Sequence, residues 1–166
     1  PYIAIMNPDI RLNKPIFAEM IKCLEQNNVA MCAGKQYGGN GTPFASFMTT
    51  FTTPWWIGRP LEFICRRILD TYIYKLQFLS GAFFAIRKDV MTEIGMFDEN
   101  IFMYAEENDL HYRIRHKYPQ LKMIYRKDLS YIHLAENRPF SAEQAKRVYE
   151  SIGYFFKKNN LSCVNY

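Results

Sequence analysis

Three carboxylates crowd into Glu106-Glu107-Asn108-Asp109, just ahead of Leu110 and Ile114. A helix opening there holds all three acids in its first turn, where unpaired N–H groups and the macrodipole favour negative charge and keep them ionised. An ionised carboxylate is what a general base needs to take a proton from an attacking hydroxyl. The same placement also suits plain helix-start decoration, and Asp109 and Arg113, four apart, have ion-pair spacing. A second candidate is Asp9 in Asn7-Pro8-Asp9. Pro8 has no N–H for a ladder, so a strand over Tyr2 to Met6 stops there, leaving a carboxylate just past its carboxyl end, where open α/β sheets bind ligands. Such an oxygen suits a hard cation, Mg2+ or Mn2+, although Asn-Pro also simply opens turns. His133 ends an apolar stretch and offers an imidazole as metal ligand or proton carrier, or as an ordinary packed side chain. His111 and His116 fall on the surface of the acidic helix. Ser80-Gly81-Ala82 supplies small residues that let a ligand or another backbone come close.

Alternating elements must carry these groups. After the first strand, Ile16, Met20 and Leu24 have helical spacing from about Pro15, with Asn13 as cap, and Val29 to Cys32 reads as a second strand. Gly38 to Pro60, rich in Gly, Pro and Thr and containing Trp55-Trp56, reads as a long loop. Leu61 to Leu69 predicts a helix, Lys75 to Ile86 a strand through Ser80-Gly81-Ala82, and Lys88 to Ile94 a short helix closed by Gly95. Beyond the acidic helix, Leu121 to Tyr125 and Leu129 to Leu134 predict two strands. Ser141 to Gln144 forms a capping box for a last helix with Ala145, Val148, Tyr149, Ile152 and Phe156 on one face. The pattern predicts one α/β domain over 1–166, a mixed sheet flanked by helices.

Composition narrows the chemistry only a little. Hydrophobic residues at 49% and charged ones at 22% are those of a globular domain and exclude a disordered or fibrous chain. The aromatic share, 16%, provides stacking surfaces for sugar faces and flat ligands, and a net charge of +5 attracts phosphate-bearing partners. Cys23, Cys32, Cys65 and Cys163 lack metal or disulfide spacing, which fits a reducing, cytoplasmic setting. No apolar run reaches the roughly 18 residues of a membrane span. Trp55-Trp56 and Lys157-Lys158 leave open a second class, a non-catalytic module holding an anionic polymer or membrane surface. The clustered acids argue against a nucleic-acid partner.

In order along the chain, Asn7-Pro8-Asp9, Ser80-Gly81-Ala82-Phe83-Phe84 with Arg87, Gly95-Met96-Phe97-Asp98-Glu99, Phe102-Met103-Tyr104-Ala105-Glu106-Glu107-Asn108-Asp109-Leu110 with Arg113, and His133 closely resemble family 2 glycosyltransferases, the rhamnosyltransferase-like members most. The resemblance implies a GT-A fold and inverting transfer of a sugar from a nucleoside diphosphate donor (dTDP- or UDP-sugar). The implied acceptor is a saccharide or lipid-linked one, in surface polysaccharide biosynthesis at the cytoplasmic side of a membrane, with peripheral membrane contact. By position, Asp9 matches the last acid of the metal-binding Asp-x-Asp motif, with His133 near the metal and diphosphate. Glu107 matches the catalytic base, flanked by Glu106 and Asp109, while Asn7, Ser80, Gly81, Ala82 and Arg113 border donor and acceptor. The cofactor implied is Mg2+ or Mn2+. Two departures stand out. The family's Glu-Asp is Glu106-Glu107 here, so either glutamate is a candidate base. The strands that hold base and ribose in the family would precede Asn7, so 1–166 alone is expected to bind donor weakly and turn over little.

Overall fold

The computed structural model describes residues 1–101, 103–134 and 141–162; Phe102 of the acidic motif and Cys163 lie outside them. Five strands, β1 (Tyr2–Met6), β2 (Ile10–Arg11), β3 (Val29–Gly38), β6 (Phe83–Arg87) and β7 (Lys122–His133), form one mixed sheet in the order β1-β6-β3-β7-β2. Only β3 and β7 run parallel. A second sheet is the antiparallel pair β4 (Phe47–Thr49) and β5 (Gln77–Leu79).

Side-chain alternation divides the core between the faces of the large sheet. Cys32, Phe83 and Ala85 face helix α1 (Phe17–Leu24), which packs Met20, Cys23 and Leu24 on them. Met31, Ala33, Phe84 and Ile86 face the other way, onto Val90 and Met91 of α3 (Lys88–Glu93) and Leu110 and Ile114 of α4 (Glu106–Lys117). Helix α4 carries Glu106, Glu107 and Asp109 in its first turn and Arg115, His116 and Lys117 in its last, complementing its dipole at both ends. Tyr104, two residues before it, sits at φ +75°, a left-handed conformation that costs a side-chain-bearing residue free energy and reverses the chain into the helix.

Several elements differ from the sequence expectation. The stretch Lys75 to Ile86 is two strands in different sheets, because the chain turns at Ser80–Ala82: the Ser80 hydroxyl accepts from Ala82 N–H at 3.3 Å and Gly81 N–H leaves the ladder altogether. Conversely, β7 is a single strand. Its register against β3 jumps from Arg126 to Ser130 opposite Gly34 and Lys35, and the bulge absorbs the polar Lys127 and Asp128. Gly34 permits it, since a Cβ there would meet the Leu129 carbonyl oxygen at 2.3 Å. The long loop contains β4 and ends at α2 (Trp55–Phe63), so Trp55-Trp56 opens a helix, continued by a π-helical stretch, Ile64–Leu69. Helix α1 starts at Phe17 rather than at about Pro15, and no side chain, Asn13 included, caps it. The final helix, α5 (Ala142–Lys158), has both hydrogen bonds of its capping box but buries Ser151, Ile152, Phe155 and Phe156, leaving Tyr149 exposed.

Candidate functional site

Asp9 and His133 meet across the edge of the sheet. Ile10 pairs with His133, Leu134 N–H donates to the Asp9 carbonyl at 2.9 Å, and Asp9 Oδ1 lies 3.2 Å from His133 Nε2. The other imidazole nitrogen, Nδ1, lies 3.0 Å from Gln36 Nε2. Gln36 is buried in β3 and its Oε1 accepts from the hydroxyls of Tyr131 at 3.0 Å and Ser80 at 3.3 Å. A buried amide satisfied on both sides holds its neighbours in register, because leaving any of those groups unpaired is costly.

The same turn reaches the acidic helix. Gly81 N–H donates to Glu107 Oε1 at 3.0 Å, and Asn7 N–H donates to the Ala82 carbonyl at 2.9 Å, tying Asn7-Pro8-Asp9 to the turn from the other side. Asp9, His133, Gln36, Ser80, Gly81 and Glu107 thus form one run of contacts from a strand tip to the first turn of α4. Space beside Gly81 is already filled: an added Cβ would lie 2.5 Å from Glu107 Oε1 and 2.6 Å from its Cγ. Gly81→Ala is expected to swing the Glu107 side chain aside from its Cγ outward at a stability cost of about 2 kcal/mol, since a side chain rather than backbone must yield. Thermal unfolding checks this.

Burial pushes the Glu107 carboxyl up to about 7, and the Glu106 carboxylate beside it adds to the rise against the Gly81 hydrogen bond. Glu107 is therefore not held ionised as its place in the first turn predicts, because desolvation under the 80–82 turn outweighs the helix dipole. A carboxyl titrating near neutrality can both take up and give back a proton at ordinary pH. Glu106 accepts from Ala105 N–H at 2.9 Å, so it turns back on the helix start and acts on Glu107 through its charge.

Asp109 and Arg113 stand elsewhere. Asp109 is fully buried, its Oδ2 accepting from Arg113 Nε at 2.7 Å and its Oδ1 from Lys158 Nζ at 2.8 Å, while Arg113 also donates to the Ile94 carbonyl at 2.5 Å. Lys158 bridges onward to Asp98 at 2.7 Å. This cluster joins α4 to α5, turned away from Gly81 by the helical angle between Glu107 and Asp109. It also consumes the charge of Lys158, one of the two lysines offered for an anionic surface.

His111 is the second correction. Rather than lying on the surface it is buried, with Nε2 accepting from Leu79 N–H at 3.0 Å and Nδ1 at 2.8 Å from the Glu107 carbonyl. Because a backbone N–H only donates, the ring proton sits on Nδ1. Burial, with the charge of Arg115 adding to it, pulls this imidazole down to about 3, so it stays neutral. His111 braces β5 against the first turn of α4, immediately before Ser80. Spacing gives no sign of Gln36, Tyr131 or His111; a buried-facing glutamine in the strand that continues the apolar stretch Val29 to Cys32 is the one available signal.

Two donors alone, Asp9 and His133, converge at the strand tip, and no cluster of three or more metal-ligating side chains occurs among the described residues. That donor set fits a cation held jointly with the oxygens of a bound diphosphate, the usual manner of Mg2+, better than a cation caged by protein. A cavity of about 750 Å³, lined by Tyr2, Leu24, Arg87 and Glu93 among others, lies at the far end of β1 and β6 and includes none of these residues.

No family model matches the chain, and a search of curated proteins finds no relative. Among solved structures, the crystal structure of GalNAc-T7 with UDP, GalNAc and Mn2+ superimposes with a TM-score of 0.57 at 12% identity, over 96% of this chain and 34% of that one. The chain therefore spans about a third of that protein's length. The likeness establishes the fold: a mixed α/β architecture of the GT-A glycosyltransferase type.

Proposed function

We propose that the chain is the metal- and acceptor-side part of an inverting family 2 glycosyltransferase, moving a sugar from a dTDP- or UDP-linked donor to a saccharide or lipid-linked acceptor in surface polysaccharide synthesis. The observation that carries the reading is the single run of contacts joining Asp9 and His133 to a glutamate, Glu107, whose carboxyl titrates near 7. Support for a nucleotide-sugar donor comes from the GT-A fold, since GalNAc-T7 was crystallised with UDP and Mn2+. Inversion and the polysaccharide role rest on the motif resemblance.

Glu107 takes the proton of the acceptor hydroxyl as that oxygen attacks the anomeric carbon, and its raised pKa makes it a stronger base than an ordinary carboxylate. Gly81 N–H keeps Oε1 directed at the turn. Asp9 and His133 would hold Mg2+ or Mn2+, which when bound offsets the charge growing on the departing diphosphate. For His133 Nε2 to ligate, its ring proton must move to Nδ1. Gln36 then turns its amide to accept it, and the Ser80 and Tyr131 hydroxyls can accept from the amide N–H in exchange.

Calorimetric titration with UDP or dTDP tests the reading. Binding is expected to require Mn2+ or Mg2+ and to weaken by about 10-fold or more in Asp9→Asn and in His133→Ala. Nucleotide binding indifferent to both cation and substitution removes Asp9 and His133 from the metal role.

A further inference from the structure

The segment Trp55–Leu69, nine residues of α2 and six of π-helix, turns a face outward that the transfer chemistry does not use. Its inner side is anchored: Gly58 packs on Thr49, Cys65 is in the core, and Asp70, which ends the segment in a left-handed conformation, is held by Lys35 and Tyr125. Outward stand Trp55, Trp56, Phe63, Ile64, Ile68 and Leu69, between 43% and 64% exposed. Arg59 and Arg67 lie on the same outer face at helical spacing from Trp56, Phe63 and Ile64, and neither makes an ion pair or side-chain hydrogen bond among the described residues. The segment's single acid, Glu62, is already engaged by Arg66 and by Thr49 N–H.

We infer that this face docks on an anionic lipid surface. Apolar side chains with two unpaired guanidiniums set among them match the boundary between acyl chains and headgroup phosphates, where aromatic rings sit at the interface and arginines reach outward to phosphate. Against a second copy of this face the same arginines would be buried opposite like charge, which is strongly unfavourable. No helix among the described residues is long and apolar enough to cross a membrane. The inference stands apart from the proposed transfer and is tested without it.

The chain's only two tryptophans, Trp55 and Trp56, are on this face, so intrinsic emission reports on it directly. Vesicles of phosphatidylcholine containing phosphatidylglycerol are expected to shift the emission to the blue and to co-sediment the protein, with affinity about 10-fold or more above that for phosphatidylcholine alone and falling as salt is raised. The Arg59→Glu/Arg67→Glu variant should lose this binding with an unchanged circular dichroism spectrum. Trp55→Ser/Trp56→Ser, followed by sedimentation, should lose it at low salt as well. An emission maximum and sedimentation indifferent to both vesicle types overturn the inference. So does self-association that shields the tryptophans without lipid.

Discussion

In the longer enzyme of which 1–166 would be the metal and acceptor side, Glu107→Gln is expected to lower the proposed transfer by about 10²-fold or more while leaving the protein folded. The amide oxygen still accepts from Gly81 N–H and the side-chain volume is unchanged, so what disappears is the proton acceptor alone. The wild-type rate should rise with pH through about 7 as the carboxyl ionises, and Glu106→Gln should move that rise to lower pH by removing the neighbouring charge. Stability carries an independent signature. A pKa raised from 4.5 to about 7 means that the folded state keeps a proton the unfolded chain has lost, so this contribution is fully present below 4.5 and vanishes as pH climbs through 7. His111 acts in the opposite sense, its pKa falling from 6.5 to about 3, and it costs stability as pH drops through that range. Between pH 6.5 and about 7 Glu107 therefore dominates the pair. Across that half-unit window Glu107→Gln should abolish a decline of about 0.4 kcal/mol that denaturant titrations of the wild type reveal. Full activity in Glu107→Gln and its loss in Glu106→Gln would assign the base to Glu106.

The other large effect concerns folding. Asp109→Asn should destabilise the protein by about 3 kcal/mol, because the buried carboxylate neutralises Arg113 and Lys158 together and the neutral amide leaves both cations undercompensated. Enough folded protein at low temperature should still turn over substrate within about 10-fold of the wild-type rate, since Asp109 contacts no group of the Asp9–Glu107 run. Chemical denaturation and kinetics on the folded fraction separate the two quantities. A variant as stable as the wild type but inactive would place Asp109 in the chemistry instead.

These outcomes show which features can be read from local sequence. The capping box at Ser141 and Gln144, the stop at Pro8 and the Gly95 closure of α3 depend on neighbours a few residues away, and each forms where its residue types predict. The acidic first turn of α4 was equally evident, yet its protonation was not. Whether Glu107 is ionised depends on Gly81, 26 residues distant, folding over it. His111 has ordinary helix-surface spacing and is buried only because β5 runs past it. The two strands expected on either side of Lys127-Asp128 are one, since a bulge hides polar residues that look like a loop. Long-range packing decided each of these.

Gln36 has a consequence for anyone redesigning this molecule. One amide group serves His133, Ser80 and Tyr131, so cation preference at one end and placement of the glutamate at the other share a common joint. Swapping His133 for a carboxylate to favour a different ion would keep Gln36 Nε2 donating, as it does to Nδ1, and so lock the amide in the orientation it must leave when His133 ligates through Nε2. Substitutions at these four positions should therefore be strongly non-additive, and useful variants should emerge as coordinated sets rather than as single steps.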